Sequence, residues 1–502
     1  MRQTTDPQGV GGQPVAHRKL IEVGIPLEAI NKESAREKAI PKHGHPSTQH
    51  LWWSRKPLAT TRGVLFAQLV DDPSSHPDEF PAEAEQDAER SRLHDLMKRL
   101  VVWENSNDET LLAEARAEIK KSNGGMMPAM VDPFAGGGSI PLEAQRLGLE
   151  ADASDLNPVA VLINKALIEI PPKFAGQPPV HPGKHEMMHD ALYQGAQGLA
   201  EDVRFYGNWM REQAFQAIGH LYPTVTDEDG KKRTVYAYKW ARTVTSPNPA
   251  NPIETPLVSS WWLSKKTGKE AYVVPTVVDG HVEYSVHHDA NGPGNSNDGT
   301  IGRNWGGAVS IADGTPISWD YIRCEGKAGR IGAHLIAVVS EGDRGRLYTT
   351  PNVSQEEAAG VSRPDIELGE IVPGGPAARN VPLYGMTDFS DLFTNRQLVA
   401  LTTFSDLVGE AREQVLADAL AAGLPEGDRL EAGGTGGAAY ADSVAVYLAE
   451  MVSRQADRMS SVVGWDAQSQ QASHVFTRQA IPMIWDFAEV NRLFGHSVGV
   501  MG

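Results

Sequence analysis

At positions 130–139 the chain reads Met130-Val131-Asp132-Pro133-Phe134-Ala135-Gly136-Gly137-Gly138-Ser139. This run predicts the end of a buried strand, a glycine turn and the start of a helix, with Ser139 as the helix N-cap. A second strand is predicted over residues 149–153, and Asp155 follows it. Strand, glycine loop, helix, strand and acid, in that order, are typical of a nucleotide-binding βαβ unit. We therefore expect an α/β protein with a Rossmann-like core.

The glycines explain how such a loop binds a ligand. Gly136, Gly137 and Gly138 carry no Cβ, so the backbone can take a positive φ and approach a ligand closely. The helix N-terminus behind them offers unpaired N–H groups. Asp155 comes about 20 residues after the loop, where an acid accepts hydrogen bonds from ribose hydroxyls. The loop lacks the G-x-G-x-x-G spacing, which disfavours a dinucleotide-dependent enzyme.

Residues 132–139 resemble the cofactor motif of S-adenosylmethionine-dependent DNA amino-methyltransferases. The resemblance implies a methyltransferase core in which the first acid and the glycines line the methionine end of S-adenosyl-L-methionine. It also implies that the acid after the second strand holds the ribose and that Asn157 lies near the adenine. The cofactor-binding residues implied in this stretch are Asp132, Pro133, Phe134, Ala135, Gly136, Gly137, Gly138, Asp155 and Asn157.

Composition narrows the class of protein. The 502 residues include 64 acids and 46 bases, and the net charge of −18 argues against nonspecific binding to nucleic acid through the overall field. Local basic patches still decide phosphate contacts. The single cysteine excludes an internal disulfide and a cysteine-only metal site. No apolar run is long enough to span a bilayer and no signal peptide is recognisable, so we expect no membrane partner and a cytoplasmic location.

A cluster of histidine, tryptophan and basic residues precedes the cofactor loop, and three interpretations remain open for it. The first is a core tryptophan pair with surface bases. The second is a zinc site of His43, His45 and His50, which is disfavoured because no acid or cysteine completes it at a usual spacing. The third is a contact with cofactor or DNA, through tryptophan stacking and phosphate pairing.

This segment also resembles the N-terminal domain of unknown function of a family of large bacterial and archaeal adenine-specific DNA methylases, whose members often lie beside phage-defence genes. The matching residues are Glu37-Lys38, Gly44-His45-Pro46, His50, Trp52-Trp53, Arg55, Pro57-Leu58-Ala59 and Arg62. The chain departs from the pattern at Gln49, Ser54 and Lys56. The order of segments suggests that this one closes over the methionine end of the cofactor, so Trp53 and Arg55 join the predicted cofactor site.

Domain boundaries follow from composition and pattern. We expect a disordered tail (1–16), an N-terminal methylase-associated domain (17–72), a helical cover (73–128), a Rossmann-like cofactor unit (129–235), a ribbon-like β insertion (236–350) and a helical region (351–502).

The β insertion corresponds to a zinc ribbon in the methylases that the chain resembles. The four ligand positions are here Ser246, Asn251, Ser310 and Asp313. Neutral serine and asparagine bind zinc poorly because the soft thiolates are missing. The sequence therefore predicts a degenerate ribbon without zinc, stabilised by packing around Trp261, Trp262, Ile317 and Trp319.

A basic, glycine-rich run at 321–332 supplies the best local candidates for DNA phosphate contacts, although a solvated hairpin is an equally good interpretation. The predicted DNA contacts are Lys327, Arg330, Arg344 and Arg346.

One expected motif is missing. Amino-methyltransferases need a polar residue, Pro-Pro and an aromatic residue, which hold and stack the flipped base. The pairs Pro171-Pro172 and Pro178-Pro179 lack both flanking residues, and the chain stops about where the family continues into its catalytic strand.

The sequence thus predicts a DNA adenine N6-methyltransferase acting on double-stranded DNA, or its cofactor-binding half with a second polypeptide carrying the catalytic motif. We place it in a DNA modification or anti-phage system with other defence proteins. The alternative is a catalytically inactive subunit of a defence complex that binds DNA or partner proteins.

Overall fold

A computed structural model describes residues 17–39, 44–183, 193–227, 229–294, 299–302, 306–343, 345–366, 368, 372, 380–476 and 481–493. The tail predicted as disordered (1–16) lies outside the described residues. The chain forms two compact units, one from residues 1–176 with 194–196 and the other from 177–193 with 197–502. The predicted boundary of the cofactor unit at 235 therefore differs from the division of the structure, which falls after Gly176.

The first unit is mostly helical around one short parallel sheet. Its elements are α1 (Leu20–Val23), α2 (Leu27–Ala39), α3 (Leu58–Leu69), α4 (Glu83–Leu100), α5 (Glu109–Ser122), β1 (Ala129–Asp132), α6 (Ser139–Arg146), β2 (Glu150–Ala153), α7 (Pro158–Asn164), a π-helix (Lys165–Glu169) and α8 (Ile170–Lys173). β1 pairs in parallel with β2, from Ala129 opposite Glu150 to Asp132 opposite Ala153. The predicted order of strand, loop, helix and strand is confirmed, whereas the methyltransferase fold stays a prediction.

Helices α4 and α5, which belong to the predicted helical cover, also contribute to the core of the first unit. Their apolar residues enter the core of the first unit together with residues from α3 and α6. Leu96, Leu100 and Ile119 are fully buried there. Each buried leucine or isoleucine contributes about 1.5–3 kcal/mol. The two helices therefore share one core with α3 and α6.

The second unit combines antiparallel sheets with long helices. Its strands are β3 (Val225–Thr226), β4 (Lys232–Arg233), β5 (Val235–Thr245), β6 (Glu254–Leu257), β7 (Trp262–Ser264), β8 (Ala271–Val278), β9 (His281–His287), β10 (Gly307–Val309), β11 (Pro316–Ser318), β12 (Gly332–Gly342), β13 (Gly345–Thr349), β14 (Trp465–Asp466), β15 (Gln471–Ala472) and β16 (Ala488–Val490). Its helices are α9 (Gln197–Ile218), α10 (Trp319–Lys327), α11 (Val353–Ala359), α12 (Asn395–Ala421) and α13 (Gly437–Ala456).

The central sheet of this unit has the order β13-β12-β5-β16, and β6 pairs with the second half of β5. Strands β7, β8 and β9 form a separate antiparallel sheet. Helix α9 packs on α12 and α13 with side-chain hydrogen bonds, in which the Tyr440 hydroxyl donates to Asp202 at 2.6 Å and the Tyr206 hydroxyl donates to Asp418 at 2.7 Å. These contacts place α9 in the second unit, although the sequence grouped it with the cofactor loop.

None of the helices in the described part of the chain has the length and hydropathy needed to cross a membrane.

Candidate functional site

The glycine loop lies between β1 and α6 and turns sharply. Gly136 and Gly138 adopt φ values of 51° and 77°, which L side chains rarely take. Gly138 is the N-cap of α6, so the prediction of Ser139 in that role is wrong. The Ser139 hydroxyl instead donates to the carbonyl of Lys56 at 2.7 Å. This bond ties the start of the helix to the segment before α3.

Asp155 lies directly beside the loop. Its Oδ2 accepts from the Gly136 N–H at 2.8 Å, and its Oδ1 accepts from the Asn157 N–H at 2.9 Å. Hydrogen bonds from Asn157 and then Gly136 hold the pKa of the Asp155 carboxyl below its ordinary value. The predicted proximity of loop and acid is confirmed. Each oxygen keeps a lone pair for a further donor, such as a hydroxyl.

Asp132 ends β1 at the entrance to the loop. Its Oδ1 accepts from the Phe134 N–H at 3.1 Å. Its Oδ2 is buried and has no hydrogen-bond partner among the described residues. A buried carboxylate oxygen without a donor is unfavourable. A ligand that brings an N–H or O–H donor to this oxygen would relieve that cost.

Asn164, at the end of α7, is a site residue that the sequence interpretation missed. Its Nδ2 donates to the carbonyl of Gly136 at 3.0 Å. Its Oδ1 is buried with no partner in the described part of the chain, and a Cβ on Gly138 would lie 2.9 Å from it. A polar residue at the end of the apolar run 159–163 was the available signal.

Asn157, predicted near an adenine, uses its side chain to accept from the Val159 N–H and so caps α7.

Trp52 and Arg55 pack against the glycine loop and account for two of its glycines. A Cβ on Gly136 would lie 2.7 Å from Trp52 Nε1, and one on Gly137 would lie 3.2 Å from Arg55 Cζ. Arg55 also donates to the carbonyl of Gly137. Trp53, the tryptophan predicted to reach the cofactor, is 56% exposed. The structure thus places Trp52, rather than Trp53, against the loop.

Other residues of the N-terminal motif hold this arrangement in place. Glu37 accepts from the N–H groups of Leu58 and Ala59 at the start of α3, and its Oε1 lies 3.1 Å from His45 Nε2. Burial alone raises the pKa of the Glu37 carboxyl, but the hydrogen bonds from His45, Leu58 and Ala59 outweigh it and the pKa is lowered. The zinc interpretation included His43, which lies outside the described residues.

A buried ion pair joins the same motif to the helix behind the loop. Arg62 on α3 and Glu143 on α6 are both almost fully buried, with Nε and Oε2 2.5 Å apart. Arg62 also donates to the carbonyl of Leu100 and to the Ser106 hydroxyl. Removing one partner of such a pair leaves an uncompensated buried charge, which costs about 3–5 kcal/mol.

An open cleft of about 520 Å³ runs along β2. Asp155 and Asn164 line it, and so does Lys165 at the start of the π-helix. This volume lies in the range of small-molecule sites. Near the loop, Phe134 is 85% exposed and Leu156 is 98% exposed. Exposed apolar side chains beside acceptors that can take a further donor suit a ligand with both a flat apolar part and polar donors.

The ribbon positions lie in two turns of the second unit. Asp313 Oδ2 accepts from the side-chain amides of Asn248 and Asn251 at 2.8 and 3.5 Å. Hydrogen bonds from Thr315 and then from the side chains of Asn248 and Ser310 lower the pKa of Asp313. The two turns are therefore joined by hydrogen bonds. The absence of zinc stays a prediction.

The residues predicted to stabilise the ribbon belong to two core clusters, Trp261 to one and Ile317 with Trp319 to the other. Trp261 and Ile317 are buried, and Trp319 stacks on Trp485 with ring centroids 5.7 Å apart. Trp262 is half-buried and packs edge-on against Tyr272.

The predicted DNA contacts do not form a single patch. Lys327 is the last residue of α10 and Arg330 follows three residues later, so the first part of the basic run is helical and the alternative interpretation as a hairpin is wrong. Arg330 is bound by Glu325 through two hydrogen bonds, and the Arg346 guanidinium lies 3.5 Å above the ring of Tyr236. Arg346 on β13 lies opposite Glu341 in the antiparallel backbone register, near the C-terminal end of β12. At 3.3 Å per residue, that strand separates Arg330 from Arg346 by about 30 Å. Arg344 lies outside the described residues.

Comparison with known proteins adds one match. Residues 24–96 match the family model described as "Protein of unknown function (DUF1156)", which covers α2, α3 and most of α4. No curated protein and no solved structure matches the chain.

Proposed function

We propose that the first unit binds S-adenosyl-L-methionine and that the protein is a DNA adenine N6-methyltransferase, or the cofactor-binding half of one. The observation that carries the proposal is the grouping of Asp132, Gly136 and Asp155 around one turn, with Asp132 Oδ2 buried and unpaired among the described residues. The resemblance of residues 132–139 to the methyltransferase motif adds support.

The residues at the loop fit this cofactor. The α-ammonium group of its methionine end is a donor for Asp132 Oδ2, and the ribose hydroxyls are donors for the free lone pairs of Asp155. The exposed side chains of Phe134 and Leu156 offer apolar surface to the adenine. When bound, the cofactor supplies an electrophilic methyl group on its sulfonium. The protein's contribution is to orient that group and to exclude water, without a covalent intermediate.

In this proposal the residues that match the domain of unknown function have a structural role. Trp52 and Arg55, inside the matched residues 24–96, press on Gly136 and Gly137. The Arg62–Glu143 pair fixes α6 behind them. We infer that this N-terminal domain holds the cofactor loop in its binding conformation. This role differs from the predicted one, in which Trp53 and Arg55 close over the cofactor themselves.

A second polypeptide is part of the proposal because the parallel sheet has two strands in the described part of the chain. Among the described residues β1 and β2 pair only with each other, and Val131 on β1 is 68% exposed. Parallel strands are normally buried on both faces, and two strands alone are marginally stable. The sequence also lacks the Pro-Pro-aromatic motif that would hold a flipped base. A strand bearing this motif, supplied by another chain, would complete both the sheet and the active site.

The alternative is a subunit without catalysis that binds DNA or partner proteins in a defence complex. The missing motif favours it, whereas the Asp132 oxygen without a donor in the described part of the chain favours retained cofactor binding.

Isothermal titration calorimetry separates these proposals. We expect S-adenosyl-L-methionine to bind with one site per chain and NAD⁺ not to bind. No heat of binding at millimolar cofactor would overturn the cofactor assignment. Transfer of tritiated methyl to double-stranded DNA, measured with and without a polypeptide carrying the Pro-Pro-aromatic motif, then tests the enzyme. Cofactor binding without methyl transfer in both cases would favour the inactive subunit.

A further inference from the structure

Two histidines and one aspartate meet in the first unit. His76 Nε2 lies 3.0 Å from Asp71 Oδ2, and His17 Nδ1 lies 3.7 Å from the same oxygen. The three ligand atoms all lie within 4.8 Å of one another. The proposed cofactor site uses none of these residues.

The backbone brings the three side chains together. Residues 18–20 run antiparallel to 70–72, with the Leu20 N–H donating to Val70 O at 2.9 Å and the Asp72 N–H donating to Arg18 O at 2.8 Å. A 3-10 turn (Pro73–Ser75) then returns the chain, so that His76 faces Asp71 again. The short segment and the turn therefore hold His17 and His76 close to one carboxylate.

Hydrogen bonds hold the backbone that carries His17, Asp71 and His76. The side chain of Asp72 is fully buried, caps the turn by accepting from the Ser74 N–H, and binds Arg90 on α4 at 2.7 Å. Ser75 accepts from the Arg18 N–H and donates to the Arg18 carbonyl. These bonds fix the backbone on both sides of Asp71, whose side chain is only 4% exposed.

We propose that His17, Asp71 and His76 bind a zinc ion. Two imidazoles and a carboxylate are a donor set that zinc prefers over magnesium or calcium, which select oxygen ligands. In a tetrahedral zinc site, bond lengths of about 2.0–2.1 Å place neighbouring ligand atoms about 3.3 Å apart. The spacings of 3.0 and 3.7 Å lie on either side of this value. The zinc replaces the proton that otherwise links His76 Nε2 to the Asp71 carboxylate.

Lys19 and solvent complete the site. The Lys19 ammonium donates to Asp71 Oδ1 at 2.7 Å, which orients the carboxylate and leaves Oδ2 for the metal. The side chain of His17 is 53% exposed, so the fourth zinc position is open to water. A metal here clips residues 17–19 to the turn before α4. Because only the folded chain joins these ligands, zinc binding stabilises the folded state.

The test is zinc titration of the full chain by calorimetry, with thermal unfolding as a second measurement. We expect the natural chain to bind one zinc ion, and we expect His17→Gln and His76→Gln to reduce the zinc affinity at least about tenfold. Loss of a residue that only hydrogen-bonds a zinc ligand already reduces metal affinity by that factor. His76→Cys should still bind zinc, because a thiolate is a zinc ligand. His281→Gln, which removes an exposed histidine on β9, is the matched control and should bind as the natural chain does.

The outcomes separate a metal site from a structural ion pair. Zinc should raise the melting temperature of the natural chain, of His281→Gln and of His76→Cys, but not of His76→Gln. Equal zinc binding by the natural chain and His76→Gln would overturn the proposal. So would a natural chain that binds no zinc, in which case the His76–Asp71 contact is only an ion pair. This site shares no residue with the proposed cofactor site, so loss of zinc binding tests it without testing the proposed function.

Discussion

The cofactor loop and the ribbon turns each depend on an aspartate, and the two aspartates differ in how completely they are paired. Asp132 Oδ2 is buried with no partner among the described residues. Asp313 accepts from Asn248, Asn251 and the Thr315 N–H. An unpaired buried acceptor costs free energy unless a ligand supplies a donor, whereas a fully paired one stabilises the chain by itself. The first arrangement is therefore suited to binding and the second to holding a turn.

Substitution of Gly136 should produce the largest effect. Gly136→Ala places a Cβ 2.7 Å from Trp52 Nε1 at a residue with φ of 51°. The left-handed conformation alone costs about 1–2 kcal/mol, and displacement of Trp52 adds to it. We expect S-adenosyl-L-methionine affinity to fall by more than about tenfold, measured by calorimetry.

Gly124→Ala is the matched control for backbone strain. Gly124 also has a positive φ, of 65°, but a Cβ added there would meet open space, with no neighbouring atom of the described chain within 4 Å. This variant should lose some stability and keep its cofactor affinity. Equal losses of affinity in the two variants would show that Trp52 does not support the loop.

Removing the charge of Asp132 should have the next largest effect. Asp132→Asn keeps an oxygen for the Phe134 N–H but removes the charged acceptor. Hydrogen bonds to charged groups contribute about 1.5–3 kcal/mol, so cofactor affinity should fall about tenfold to a hundredfold. Asp152→Asn, at an exposed position of β2 that lines the cleft beside Asp155, should leave the affinity unchanged. A loss confined to Asp152→Asn would place the ligand elsewhere in the cleft.

Glu37→Gln tests how much the hydrogen bonds that Glu37 accepts at the start of α3 stabilise the chain. Weakening these bonds should cost about 1 kcal/mol at neutral pH, measured by denaturant unfolding. The pKa of Glu37 is lowered from 4.5 in the folded state, so its contribution is full above that value and declines as the pH falls below it. The natural chain and the variant should therefore converge in acid. Glu28→Gln, at an exposed position of α2, should show no such convergence.

Asp313→Ala should have the smallest effect on cofactor affinity. The two ribbon turns lose their link, so the melting temperature should fall while S-adenosyl-L-methionine affinity stays the same. The pKa of Asp313 lies below its ordinary value of 3.8, so the difference in melting temperature should persist down to about that pH and shrink only below it. A loss of cofactor binding in this variant would contradict the assignment of the two aspartates to different roles.

Local order along the chain was predictable from the sequence because its signals are local. Strand, glycine loop, helix and strand follow from hydrophobic pattern and glycine content at 129–153, and α4 and α5 follow from their periodicity. Asp155 was also predictable, since the ends of adjacent parallel strands lie close together. The helix in the basic run around Lys327 was not predicted, because the glycines of this run are unfavourable in helices. Ser318 is the N-cap of this helix.

Only the tertiary structure decided which side chains meet across long separations. It selected Trp52 over its neighbour Trp53, brought Asn164 onto the loop, and paired Arg62 with Glu143. Pattern and propensity describe neighbours along the chain, whereas these contacts depend on how helices pack around one core. The sequence by itself therefore determined the kind of loop and its acid, and packing determined what presses on that loop and which oxygens remain for a ligand.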